Sequence, residues 1–146
     1  MVSRYDRFTS LIMRINKSIQ KIKCNEMAEL GLKGNQVQCL FHLYQERDGL
    51  SATKLCELCE EDKAAISRTI KNLENGGFVF MDDSGEKKYK NPIKLTAKGR
   101  EVGEYISNKI ECLLAGAGID EKERDKFYEM LEIVCANLQK VCDKQD

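Results

Sequence analysis

Lys63, Ala64, Ser67, Arg68 and Lys71 recur at helical spacing in the segment KAAISRTIKNLEN, roughly opposite Ile66, Ile70 and Leu73. A helix burying the apolar set turns the small and polar set toward solvent. These groups are mostly hydrogen-bond donors and cations, which suit phosphate oxygens and base edges better than bond-breaking chemistry. Arg68 has three uses open to it: a bidentate bond to guanine, a clamp on a phosphate, or a structural ion pair. Lys87, Lys88 and Lys90 cluster farther on in a turn, where they suit a phosphate backbone or simply a solvated surface. Arg47 is equally a backbone contact or a surface arginine. Asn72 and Asn75 are better read as polar residues of a helix end. Ser67 and Thr69 can bond phosphates or cap locally, and Thr69 is read as a hydroxyl on the helix surface.

Other residue types could do chemistry but lack company. His42 is the sole histidine, with Cys39 three residues before it. Two ligands do not make a zinc site, which takes four, or three and a water. Cys56-x-x-Cys59 has the look of a redox or metal pair, yet no second pair follows. Both cysteines share a helix with Leu55 and Leu58, so packing is the first reading and a thiol sensor the second. There is no glycine-rich phosphate loop, because Gly76-Gly77 lacks the strand-to-helix setting. No nucleophile stands beside a base. The sequence therefore predicts no catalytic residues, no metal and no cofactor: a non-enzyme.

The elements that would position the donors follow from periodicity and caps. Phe8, Leu11, Ile12, Ile15, Ile19 and Ile22 predict a first helix over about 4–30, continued by Met27 and Leu30, with Gly31 and Gly34 at its break. Val37, Leu40, Phe41 and Tyr44 predict a second helix over 35–47. Ser51 is placed to cap a third over 52–59, and Asp62 a fourth over 63–75, adding negative charge at its positive end. Gly76-Gly77 ends that helix, one of the pair taking a left-handed conformation. Phe78–Met81 and Tyr89–Leu95 then form two strands around an Asp82–Gly85 turn. Pro92 suits the edge of such a hairpin. Thr96 caps a fifth helix to about Leu114, Ala115–Gly118 breaks it, and Asp120 with Glu123 opens a last helix to about Val141. Two short helices followed by a hairpin are a helix-turn-helix with a wing, and duplex DNA binding is the leading function.

The length of 146 residues and the 42% hydrophobic content allow one domain with a sizeable core. The net charge of zero hides a pattern. Residues 1–23 and 63–100 each sum to +5, whereas 24–62 and 101–146 each sum to −5. Nucleic-acid binding needs a local positive face rather than a basic chain, and the hairpin region supplies one. The apolar runs fall short of the roughly 20 residues that span a bilayer, and the N-terminal residues lack the pattern of an export signal. A cytoplasmic location is expected, with the seven cysteines mostly small buried hydrophobes.

The winged core needs only about residues 35–98. Helices 4–30 and 99–143 lie outside it with apolar stripes of their own, within a single domain over 1–146. Burial against a second copy gives a two-fold dimer that offers paired recognition helices to two half-sites. A competing class is a protein-interaction module using the winged fold as a scaffold, favoured by Glu57, Glu60 and Glu61. A thiol-responsive regulator is a variant of the DNA-binding reading.

With these residues in view, the sequence resembles the MarR family of bacterial transcriptional regulators. The resemblance rests on helix order, on LSATKLCELCEEDKAAISRTIKNLENGGFV and on IKLTAKGREV. Leu55 matches the family's first helix, Asp62, Ile66, Ser67, Arg68, Ile70, Leu73, Glu74 and Gly77 its recognition segment, and Leu95, Thr96 and Gly99 its post-wing motif. The resemblance implies a mainly α, winged helix-turn-helix fold with a two-stranded wing and flanking dimerisation helices. It further implies a homodimeric repressor of a DNA operator that a small amphipathic or phenolic effector releases. The effector pocket is expected near Phe8, Ile12, Phe41 and Tyr44. One departure stands out: the wing has Lys87-Lys88-Tyr89-Lys90 where many members place an Asp-x-Arg. A lysine is a point charge that cannot fork like a guanidinium, so the wing is expected to add affinity more than shape readout.

Overall fold

A computed structural model describes residues 3–84 and 91–145. Among them the order is α1 (Arg4–Met27), α2 (Gly34–Gln45), α3 (Ala52–Cys59), α4 (Lys63–Asn75), β1 (Val79–Met81), β2 (Ile93–Leu95), α5 (Ala97–Ala115) and α6 (Glu121–Asp143). The chain divides into two compact units, Met1–Ile110 and Glu111–Asp146, and α5 crosses the boundary.

Local hydrogen bonding sets the helix starts. The Ser3 and Asp120 side chains each build a capping box, with Asp6 and Glu123 returning the bond. The Ser51 hydroxyl accepts from the Lys54 amide at 3.1 Å, and the Asp62 carboxylate from the Ala65 amide at 2.7 Å. Each such cap typically contributes about 1 kcal/mol by satisfying an otherwise orphaned amide. The first helix stops three residues earlier than periodicity predicts: Ala28–Leu30 tightens into a 3-10 turn that Gly31 closes. The second ends at Gln45, before the Asp48-Gly49 turn.

The first unit is built around α2. It packs against α1, α3, α4 and β2, and α4 packs on α3 and β1. Val37, Leu40 and Leu43 of α2 meet Leu55, Ile66, Leu73, Ile93 and Ile106 in one buried cluster. The hairpin is antiparallel, with Val79 opposite Leu95, Phe80 opposite Lys94 and Met81 opposite Ile93. Leu50 extends this sheet from the other side: its amide donates to the Ile93 carbonyl at 3.1 Å, and Ile93 returns a bond at 2.8 Å. Pro92 sits just outside β2, where only its carbonyl is used, accepting from the Asp82 amide at 2.9 Å.

The α4-to-β1 turn is held from the start of α5. Gly77 takes the left-handed conformation (φ 78°) that glycine adopts without a Cβ penalty. The Thr96 hydroxyl donates to the Gly77 carbonyl at 2.6 Å and accepts from the Gly99 amide at 3.1 Å, so it also caps α5. Lys98 donates to the Gly76 carbonyl at 2.8 Å.

The outer helices are different. Lys23 and Met27 are the buried residues of α1, and α6 has none among its described residues. Phe8, Leu11, Ile12 and Ile15 of α1 and Met130, Ile133, Leu138 and Val141 of α6 are exposed in the single chain. Of the seven cysteines expected to be mostly buried, Cys112 near the end of α5 and Cys135 and Cys142 on α6 are exposed as well. Among the described residues no helix is long and apolar enough to cross a membrane.

Candidate nucleic-acid interface

Helix α4 is held from one side only. Ile66, Thr69, Ile70 and Leu73 are buried and follow the i, i+3, i+4, i+7 spacing of a single core stripe. Lys63, Ala64, Ser67, Arg68 and Lys71 are exposed, as the alternation of residue types predicts. Asn72, Asn75 and Arg47 are also exposed. The side-chain amide of Asn35, near the start of α2, donates to the Thr69 hydroxyl at 3.0 Å. Thr69 is therefore a core residue rather than a surface hydroxyl, at 2% exposure. Its place three residues after Ile66 was the signal that could have shown it.

The wing is anchored at its base. Asp82 pairs with Lys94 at 2.8 Å, and that ammonium, with the Ser84 hydroxyl and amide, holds the Asp82 carboxyl well below the usual carboxylate range. The side-chain amide of Asn91 donates to the Asp83 carboxylate at 2.7 Å. Lys87, Lys88 and Lys90 lie outside the described residues, as does the predicted strand start at Tyr89.

Residues 30–87 match the family model described as MarR family. This segment is of the MarR family. The solved structures that this chain is similar to share the fold. A MarR-family regulator from Listeria monocytogenes, described as putative and complexed with 26mer DNA, is 26% identical; the match covers 89% of this chain and 87% of that one, with a TM-score of 0.73. The transcriptional regulator SlyA is 25% identical over 95% of this chain and 99% of its own, also at 0.73. A MarR-family regulator from Silicibacter pomeroyi is 23% identical over 93% and 92%, at 0.76. No curated protein matches the sequence. The fold is the MarR winged helix-turn-helix: α3 and α4 are its helix-turn-helix, and β1 and β2 form its wing.

The first unit carries further polar groups beside its core. Lys23 is buried, with its ammonium 3.3 Å from the Phe41 ring centroid, a cation–π contact. Burial pushes the Lys23 pKa down, partly offset by Cys24. His42 packs edge-on against Phe41, and its pKa is lowered by burial and then by the Lys23 charge, against a hydrogen bond to the Leu58 backbone carbonyl that raises it. A groove of about 440 Å3 is lined by Glu26, Met27, Glu29, Leu30, Phe78, Lys98, Glu101, Val102 and Tyr105. None of the four expected pocket residues lines it. Phe8 and Ile12 are exposed on α1, whereas Phe41 and Tyr44 pack partly buried against the core.

Proposed function

We propose that this chain is a sequence-specific, double-stranded-DNA-binding transcriptional regulator of the MarR type, acting as a homodimer in the cytoplasm. The observation that carries the reading is the division of α4. One stripe is locked into the core, and the opposite face leaves Lys63, Ala64, Ser67, Arg68 and Lys71 free for a major groove. The DNA complex of the Listeria monocytogenes relative supports it. In this proposal residues 35–98 form the DNA-binding core, and helices 4–30 and 99–143 dimerise through their exposed apolar stripes. Lys87, Lys88 and Lys90 supply phosphate contacts from the wing.

The regulator acts most simply as a repressor that occludes a promoter and is released by a small amphipathic or phenolic effector. Phe8, Ile12, Phe41 and Tyr44 are the proposed effector contacts. Phe8 and Ile12 are apolar and exposed on the single chain, and in a dimer a second subunit would enclose them.

The test is a selection of genomic fragments by purified protein, followed by a salt titration on the recovered duplex. A palindromic site is expected, with affinity falling steeply as salt rises because each phosphate contact releases counterions. Changing Lys87, Lys88 and Lys90 to Gln should flatten the log–log slope by up to about 0.9 per lost contact. Recovery of no preferred sequence, with salt-insensitive binding, sinks the reading.

A further inference from the structure

Two cysteines that are twenty positions apart in sequence meet inside the MarR segment. The Cys39 and Cys59 sulfurs are 3.6 Å apart and share one thiol hydrogen bond in the core. Cys39 lies on the buried face of α2 and Cys59 is the last residue of α3. This is not the pair that the Cys56-x-x-Cys59 motif suggests. On a helix, positions three apart hold their Cβ atoms about 5–6 Å apart. A disulfide wants about 3.5–4.5 Å. Cys39 faces Cys59 across a helix–helix contact instead.

We propose that Cys39 and Cys59 are an oxidisable dithiol, which a small hydroperoxide such as hydrogen peroxide converts to an intrachain disulfide tying α2 to the end of α3. Cys59 is the attacking sulfur. It is the more exposed of the two, and its hydrogen bond with Cys39 draws its pKa down while that of Cys39 is pushed up. The Cys59 thiolate attacks one peroxide oxygen, the O–O bond breaks, and the leaving hydroxide takes up a proton as water. The Cys39 sulfur then loses its proton and attacks the sulfenic sulfur of Cys59; the S–S bond forms, the S–O bond breaks, and a second water leaves. Two thiols are oxidised by two electrons and one peroxide is reduced.

The sulfurs must close from 3.6 Å to about 2.05 Å, a movement within the reach of side-chain rotation and a small helix shift. The bond closes a loop over residues 39–59. That loop contains the bridge from Leu50 to β2, and it ends three residues before the Asp62 cap of α4. Formation of the bond is independent of whether the chain binds DNA.

Peptide mapping on the native full chain tests this without relying on any variant. The protein is exposed to a few equivalents of hydrogen peroxide, blocked with N-ethylmaleimide under denaturing conditions and cut with trypsin. Peptide 34–47, carrying Cys39, should be linked to peptide 55–63 through Cys59, as assigned by tandem fragmentation, and dithiothreitol should release them. Cys56→Ser should keep the link and Cys59→Ser should lose it. The oxidised protein should also unfold at higher urea, because the link restricts the unfolded chain. Cys39 and Cys59 both alkylated while Cys112 is already oxidised would overturn the proposal. A link made through Cys56 instead would overturn it equally.

Discussion

Asn35 and Thr69 are joined across the core by a 3.0 Å hydrogen bond from the Asn35 amide to the Thr69 hydroxyl. This contact joins the core stripe of Ile66, Ile70 and Leu73 in holding α4 against α2. The side chains opposite that stripe are left to face solvent.

Thr69→Val keeps the shape and removes the acceptor. Asn35 is only partly buried, so water can replace the lost partner. A loss of about 1 kcal/mol is expected, the net value of an ordinary hydrogen bond. Urea unfolding at neutral pH measures it. An unchanged midpoint would show that the bond does not hold α4 in place.

Gly99→Ala should be severe, against the usual rule that alanine in a helix is about 0.5–1 kcal/mol better than glycine. A Cβ at Gly99 would land on the Phe78 carbonyl oxygen, a backbone atom that also accepts from the Thr96 amide. A loss of about 2–3 kcal/mol or more is expected from overpacking. Gly103→Ala should cost less, since its Cβ would meet the half-buried Tyr44 side chain, at 2.8 Å. Equal midpoints for the two variants in thermal unfolding would contradict this ranking.

Arg68→Ala should weaken binding to the selected duplex by about 1–3 kcal/mol if the guanidinium reads a base edge. Random duplex should suffer less. Equal losses on both would assign Arg68 to a phosphate.

The exposed stripes should be covered in solution. Ile133 is 69% exposed in the single chain, with Met130 and Leu138 exposed on the same helix. Multi-angle light scattering should give twice the 16.7 kDa chain mass at micromolar concentration. Ile133→Glu should shift the distribution toward the single chain. A wild type that stays at one chain mass rules out the dimer.

His42 makes stability depend on pH. Its folded pKa lies below the ordinary 6.5, mainly through burial and then through the Lys23 charge. The unfolded chain therefore takes up the proton first as pH falls. The His42 contribution is fully present above 6.5 and is lost as pH drops through the folded value. Asp82 acts in a separate window, below the ordinary carboxylate range, because its folded pKa is also lowered. Urea midpoints between pH 8 and 5 should fall less in His42→Gln than in wild type. Parallel curves would remove His42 from the account.

Caps and stripes made most of the helices legible. Ser51, Asp62, Thr96 and Asp120 each announce a helix start through a side chain that bonds an amide three residues on, and the structure uses all four. Local chemistry of that kind is written in adjacent letters. The exposed face of α4 was readable for the same reason. What escaped were partnerships across the fold. Asn35 with Thr69 and Cys39 with Cys59 span 34 and 20 positions, and nothing in either neighbourhood names the other. Thr69 misled because a hydroxyl on an otherwise charged helix suggests solvent, although its spacing placed it in the core stripe. The cysteines on α5 and α6 misled because an apolar stripe tells that a face is to be covered, and leaves open whether the same chain covers it.

The turn after α4 has a mechanical meaning. Gly76 and Gly77 give their carbonyls to Lys98 and Thr96, and the Gly99 backbone lies against Phe78, so the end of α4 and the beginning of α5 share a bolted joint with no slack between them. A lever fixed in this way transmits torque. A rotation of the first turn of α5 would therefore be felt first at the C-terminal end of α4, where these bonds are made.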